Sequence, residues 1–207
     1  YTLADTFVKV DTYGREVQYN IISSSPAAQY LRANPHQTHL GQIGFVLTDQ
    51  NGRQLTVDDL SGTDQTLHLW EGQLVSRFVA DGQPVQVQTV AHPEFDGIAV
   101  SVDSPLLRDG RAKISLRFAY PSATWGNDPA DWTKPTRHQT QTLREDETTA
   151  LIRRQLDSLS YYCRVGHNGK LLKTDRHEYL LFGPTEWGPL TFSVIFSQTP
   201  IDQPAEL

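Results

Sequence analysis

LWEGQLVSRFVADGQPVQVQTVAHPEFDGIAVSVDSPLLRDGRAKISLRFAY, residues 69–120, decides the fold class. Leu74, Ser76, Phe78 and Ala80 alternate with Val75, Arg77 and Val79, a side-chain period of two. Asp81-Gly82 then offers a two-residue turn that accepts positive φ. Val85, Val87 and Thr89 follow on one face, with Gln86, Gln88 and Val90 on the other. His92-Pro93-Glu94-Phe95-Asp96-Gly97 breaks the chain again. Ile98, Val100 and Val102 alternate with Ala99 and Ser101, and Ser104-Pro105 through Asp109-Gly110 makes the next joint. Ala112, Ile114, Leu116, Phe118 and Tyr120 then alternate with Lys113, Ser115 and Arg117. One apolar and one more polar face per strand is the pattern of an antiparallel sheet with one solvated side.

The same pattern extends outward. Gln42–Thr48 is apolar and β-branched and meets the turn cluster Asp49-Gln50-Asn51-Gly52. Residues 148–156, 160–167, 171–174, 177–182 and 190–197 are further predicted strands, and Asn168-Gly169 predicts a tight hairpin between two of them. Roughly ten or more strands at 8–12-residue spacing predict an all-β fold, a large antiparallel β-sandwich. Ala27–Ala33 offers one helical turn. Residues 1–197 are assigned to this sandwich. The proline-bearing tail, 198–207, is expected to start a linker.

Composition narrows the partners. The 207-residue chain carries a net charge of −6 and has no basic run, which argues against nucleic acid and anionic membrane as partners. It has no apolar stretch near the roughly 20 residues that a membrane-spanning helix needs. Cys163 is the single cysteine, so no internal disulfide forms, and a buried thiol is expected. Cytosolic and secreted origins both stay open, with an extracellular or periplasmic placement slightly favoured. The chain opens at Tyr1 without Met, as a processed piece would.

Two regions resist a strand reading: Ser23–Leu40 and Pro121–Gln141. Loops that long in a compact domain are commonly functional. The second packs Trp125, Asp128, Asp131, Trp132, Lys134, Arg137 and His138 into fourteen residues. Flat aromatics cover the C–H face of a pyranose, and charged groups hydrogen-bond its hydroxyls. Trp125, Asp128, Asp131, Trp132, Arg137 and His138 are therefore candidate carbohydrate-binding residues. Asn34 and His36, in Asn34-Pro35-His36-Gln37-Thr38-His39, join them as groups for a polar cleft. A metal is not expected there, because a third ligand is missing nearby. Asp58-Asp59 and Glu145-Asp146-Glu147 are adjacent in sequence, so on strands they face opposite ways. Turns suit them better than an acid/base pair. Lone His92, His167 and His177 are expected to be structural. No motif calls for a cofactor.

Leu69-Trp-Glu-Gly72, Asp81-Gly82, Thr89-Val-Ala-His-Pro93, Asp96-Gly-Ile-Ala-Val100 and Ser104-Pro-Leu106 resemble the N-terminal sandwich of six-hairpin glycosidases, among them glycoside hydrolase families 65 and 95. Asn34-Pro-His36, Gly41-Gln-Ile-Gly-Phe45, Asp131-Trp132 with His138, and Arg154-Gln-Leu-Asp157 resemble a fungal and bacterial branch of the same class. The resemblance spans nearly the whole chain and rests on strand and turn words. It implies a galactose-mutarotase-like supersandwich that packs on an (α/α)6 catalytic barrel and lends loops to its carbohydrate cleft. The catalytic carboxylates of such enzymes lie in the barrel, so no catalytic residue is carried over. A free-standing, lectin-like carbohydrate-binding module is the alternative. A self-sufficient enzyme of the aldose-epimerase type is a third reading. It needs a His base (His92, His138 or His177) converging with Glu178 or Glu186.

Overall fold

A computed structural model describes residues 1–20, 23–33, 39–122 and 128–201. The strands, in chain order, begin with β1 (Val8–Thr12), β2 (Arg15–Tyr19), β3 (Gln42–Leu47), β4 (Leu60–His68) and β5 (Gln73–Ala80). They continue with β6 (Gln83–Ala91), β7 (Asp96–Asp103), β8 (Ala112–Arg117), β9 (Tyr120–Pro121), β10 (Ala130–Asp131) and β11 (His138–Glu145). β12 (Thr149–Leu156), β13 (Leu159–His167), β14 (Lys170–Asp175), β15 (Glu178–Phe182) and β16 (Leu190–Ser197) complete them. The helices are α1 (Pro26–Ala33) and α2 (Pro105–Arg108). The chain is all-β, built on large antiparallel sheets.

Contacts divide the chain into two compact units. The smaller comprises Tyr1–His39 and Ala119–Thr133. Its β1–β2 hairpin turns at Tyr13-Gly14, both at positive φ, 55° and 76°. Ala27 and Ala28 bury the inner side of α1, and the Ser25 hydroxyl accepts from the Ala28 N–H to cap it. β9 and β10 pair across Tyr120 and Asp131.

The larger unit, Leu40–Phe118 with Lys134–Leu207, is the sandwich. Eight antiparallel strands run β11-β12-β13-β16-β7-β6-β5-β4, and four run β14-β15-β8-β3. The predicted Asp81-Gly82 turn is present, both residues at positive φ (47° and 71°), and it sets the register Ala80↔Gln83. Phe78, Val85, Val102, Ile152, Cys163, Leu190 and Val194 from the large sheet meet Phe45, Ile114, Leu116, Tyr179 and Leu181 from the small one. Ser104 caps α2, with its hydroxyl accepting from the Leu106 N–H. Pro105 takes the first position, where a missing N–H costs nothing. That cap seats Leu106 and Leu107 in the core between β7 and β8. Cys163 is fully buried and its apolar surroundings push the thiol up, so it packs as a small hydrophobe.

Two expectations are corrected. Asn168-Gly169 does not close a hairpin: β13 pairs with β12 and β16, whereas β14 pairs with β15 in the other sheet. The chain crosses between sheets there. Glycine is required for close approach, because a Cβ at position 169 would lie 2.1 Å from the Phe182 carbonyl oxygen. The loop expected over 121–141 also ends early, since β11 starts at His138. Its inward residues are His138, Thr140 and Thr142, so the apolar alternation that announces a half-buried strand is missing.

Gly169→Ala is expected to cost about 3 kcal/mol in urea denaturation, the upper range for overpacking against backbone that cannot yield. Gly72→Ala, at positive φ in open space, is expected to cost only about 1 kcal/mol.

Candidate functional site

The candidate carbohydrate residues fall into three groups. Trp125, Asn34 and His36 lie outside the described residues. Asp128, Asp131 and Trp132 belong to the smaller unit, and Arg137 and His138 to the sandwich. Asp128 Oδ1 accepts from the Ala130 N–H at 2.9 Å, and the Asp128 carbonyl accepts from the Ser122 hydroxyl at 2.7 Å. Asp131 Oδ1 accepts both the backbone N–H (2.9 Å) and the hydroxyl (2.7 Å) of Thr133. Both carboxylates therefore fix turns, which the short Asp side chain does well. Trp132 stays 38% exposed, with His39 set edge-on to it at 5.9 Å. Arg137 is exposed and faces Asp157 at 3.7 Å, a pairing of small energetic weight.

His138 is different, because it enters the interior. It forms a buried polar centre with Arg154, Tyr161, Thr140 and His177, drawn from several strands and strand ends of the sandwich. Arg154 sits inward on β12, fully buried. Its Nη1 donates to the Gln139 carbonyl at 2.8 Å and to the Thr140 hydroxyl. Its Nη2 donates to His138 Nδ1 at 2.7 Å, and its Nε to the Tyr161 hydroxyl at 3.4 Å. The guanidinium also lies 4.9 Å from the centre of the Phe118 ring. The Tyr161 hydroxyl in turn donates to the Leu40 carbonyl at 2.6 Å. One arginine thus ties β11, β12, β13 and the entry to β3 together.

The protons follow from the donors. A guanidinium only donates, so His138 Nδ1 must accept, and the ring is neutral with its proton on Nε2. Burial, then the Arg154 charge, pulls His138 down to about 4. Thr140 Oγ accepts from Arg154, so its hydroxyl hydrogen goes to His177 Nδ1 at 2.6 Å. His177 Nε2 then donates to the Pro135 carbonyl at 2.7 Å. Burial lowers His177 as well. The two neutral rings stack at 3.7 Å, 15° from parallel, a contact that two imidazolium ions would refuse.

This centre holds the loop before β11 in place. It does not offer a base, because both His177 nitrogens are committed and His138 is too weak a base at neutral pH. His92 is committed too: its Nδ1 accepts the N–H groups of Glu94 and Phe95, both at 3.0 Å. The acidic runs cap turns. Asp59 chelates Arg53 and receives the Thr56 N–H, which holds its carboxyl well below the usual range. Asp146 accepts from Thr148 and Thr149 and is lowered to about 2. Among the described residues no three His, Cys, Asp or Glu side chains gather to hold a metal. Likewise no helix among them is long and apolar enough to cross a membrane.

In the sequence, Arg154 stands out only as part of a resemblance, and its role goes unread. The signal was an arginine on the inward register of a strand, in phase with Ala150 and Ile152. No protein-family model matches the chain, and no curated protein matches it in sequence.

Arg154→Met removes the donor of the hydrogen bonds described above and is expected to destabilise by about 3–5 kcal/mol in urea titration, since buried acceptors lose their partner. Arg154→Lys should recover little, because one ammonium cannot reproduce the planar fork. The folded His138 titrates below the unfolded value, so the unfolded chain binds the extra proton as pH falls. Stability is expected to be flat above pH 7 and to decline from about pH 6.5 to pH 4, by about 3 kcal/mol for His138. His138→Gln should flatten that decline, while the loss from Asp59 and Asp146 appears only below about pH 4.

Proposed function

We propose that this chain is the non-catalytic sandwich domain of a glycoside hydrolase, one that packs on an (α/α)6 catalytic barrel and contributes loops to its carbohydrate cleft. The observation that carries the reading is the sandwich itself, eight strands on four. The words behind the resemblance fall on its joints: Leu69-Trp-Glu-Gly72 on the β4–β5 turn, Asp81-Gly82 on β5–β6, and Ser104-Pro-Leu106 on the capped α2. The non-catalytic part is supported by the histidines and acids described above, which are committed to turns and to the buried centre. Architecture supports a place in an enzyme of this class, and fold alone does not carry activity.

Surface chemistry supports a partner surface. The β4–β5 hairpin carries Leu67, Leu69 and Trp70 outward, and Trp70 is 99% exposed. A tryptophan that buries nothing in its own fold contributes to stability only through another surface. Exposed Trp70 and Trp187 are also what the alternative favours, a free-standing carbohydrate-binding module with aromatic platforms.

The coding sequence following Leu207 separates the two readings. A continuation of several hundred residues with paired helical periods, whose complete product cleaves glycosides while residues 1–207 alone do not, is expected. A stop codon there, with sugar binding by the chain alone, would establish the module instead. In the complete enzyme, Trp125→Ala with Trp132→Ala is expected to raise KM about tenfold, the scale of one lost aromatic stacking contact. The melting temperature of the sandwich should hold. Unfolding of the double variant would make the loop a structural clamp.

A further inference from the structure

The outer face of the eight-stranded sheet, opposite the core, holds a hollow of about 430 Å³. Two cross-strand rows build it. Gln73, Val90, Ala99, Ser193 and Gly166 stand opposite one another across β5, β6, β7, β16 and β13. One pleat along, Gln88, Ser101 and Thr191 form the second row. Their strand neighbours Val87, Val100 and Phe192 point into the core, so these residues point out. The middle of both rows is small, namely Ala99, Ser101 and Ser193 beside the bare backbone of Gly166. The longer Gln73 and Gln88 stand at one rim. A small-residue floor with amide walls is why the face is hollow there.

Its lining is uncharged, with amides and hydroxyls set beside apolar Val90 and Ala99. The side chains of Gln73, Gln88, Ser101, Thr191 and Ser193 find no hydrogen-bond partner among the described residues, so their donors and acceptors are open to a ligand. None of the lining side chains is a carboxylate, lysine or arginine. His167, next to Gly166 on β13, stands opposite Phe192 and in phase with Cys163 and Val165, so its side chain turns to the core side, where it is nine-tenths buried and bonds the Gly169 carbonyl through Nδ1 at 3.0 Å. The backbone of all five strands is committed to ladders, which leaves recognition to side chains. The five-strand row spans about 19 Å and the two rows lie about 7 Å apart. The volume falls in the roughly 300–1,000 Å³ range of small-molecule sites.

We propose that this hollow is a binding site for a short, uncharged oligosaccharide, on a face separate from the loop residues considered above. The proposal rests on the carbohydrate reading of the chain and gives it a location. Mixed amide and hydroxyl groups match the alternating donors and acceptors of sugar hydroxyls, and the absence of charge selects against anionic ligands.

The test is amide chemical-shift titration of the 207-residue chain with maltohexaose, cellohexaose and xylohexaose, and with oligogalacturonate as the anionic control. At least one neutral oligosaccharide is expected to shift residues of β6, β7 and β16 around Gln88, Ser101 and Ser193, and the anionic control is not. Ala99→Trp fills the hollow and is expected to abolish the shifts. Gln73→Ala with Gln88→Ala removes the rim without adding bulk and should weaken binding about tenfold, two lost hydrogen bonds. Equal binding of oligogalacturonate, binding undiminished in both variants, or no shift with any neutral oligosaccharide would overturn the proposal. Those results leave the accessory-domain reading to the downstream coding sequence, where a stop codon would overturn that reading and spare this one.

Discussion

A single buried cation organises one end of this sandwich. Arg154 brings a full positive charge into the interior on an inward strand position, where an aliphatic residue is the ordinary choice. Desolvating it is costly, and the surrounding groups offset that cost: the Gln139 carbonyl, the Thr140 and Tyr161 hydroxyls, His138 Nδ1 and the Phe118 ring face. The consequences run outward. His138 must be neutral to accept, His177 must be neutral to stack, and Pro135 is held because His177 has one N–H left to give. A loop that looks like a set of charged surface groups in the sequence is thus anchored from inside.

The large sheet shows what strand alternation alone can build. Its inner face carries Val102, Ile152, Leu190 and Val194, and their burial drives the fold. Its outer face uses the same ladders to present Gln73, Gln88, Ser101 and Ser193 in register. Since one-residue slippage would exchange the two faces, the apolar core and the polar hollow specify each other. A site built this way is as rigid as the sheet, which suits recognition by many weak neutral hydrogen bonds.

Much of the fold is legible in the amino-acid sequence. Strands β5 through β8 and β12 through β16 follow alternation and turn chemistry, and Asp81-Gly82 reads correctly because its demand for positive φ is local. β4 and β11 escape for a common reason. β4 is an edge strand, LSGTDQTLH, exposed along nearly all its length, and β11 turns His and Thr inward. Neither has an apolar stripe for the eye to follow. Asn168-Gly169 misleads because the same two residues serve a hairpin or a crossing between sheets, and only the proximity of Phe182 distinguishes them. The buried centre is less legible still. Its members stand at positions 138, 140, 154, 161 and 177, and each looks ordinary until pairing brings Thr140 beside Arg154 and Arg154 beside Tyr161. The hollow is unreadable for a related reason. Small and amide residues on a solvated face are the default expectation, and their gathering across five strands is a property of register.

Arg154 fixes the protonation of the two stacked histidines. Long-range ¹H–¹⁵N correlation spectra of the imidazole rings, recorded from pH 8 to pH 5, test it most directly. A protonated Nε2 and bare Nδ1 are expected on both His138 and His177, with His138 unchanged across the range. A His138 carrying its proton on Nδ1, or titrating near pH 6.5, would contradict it.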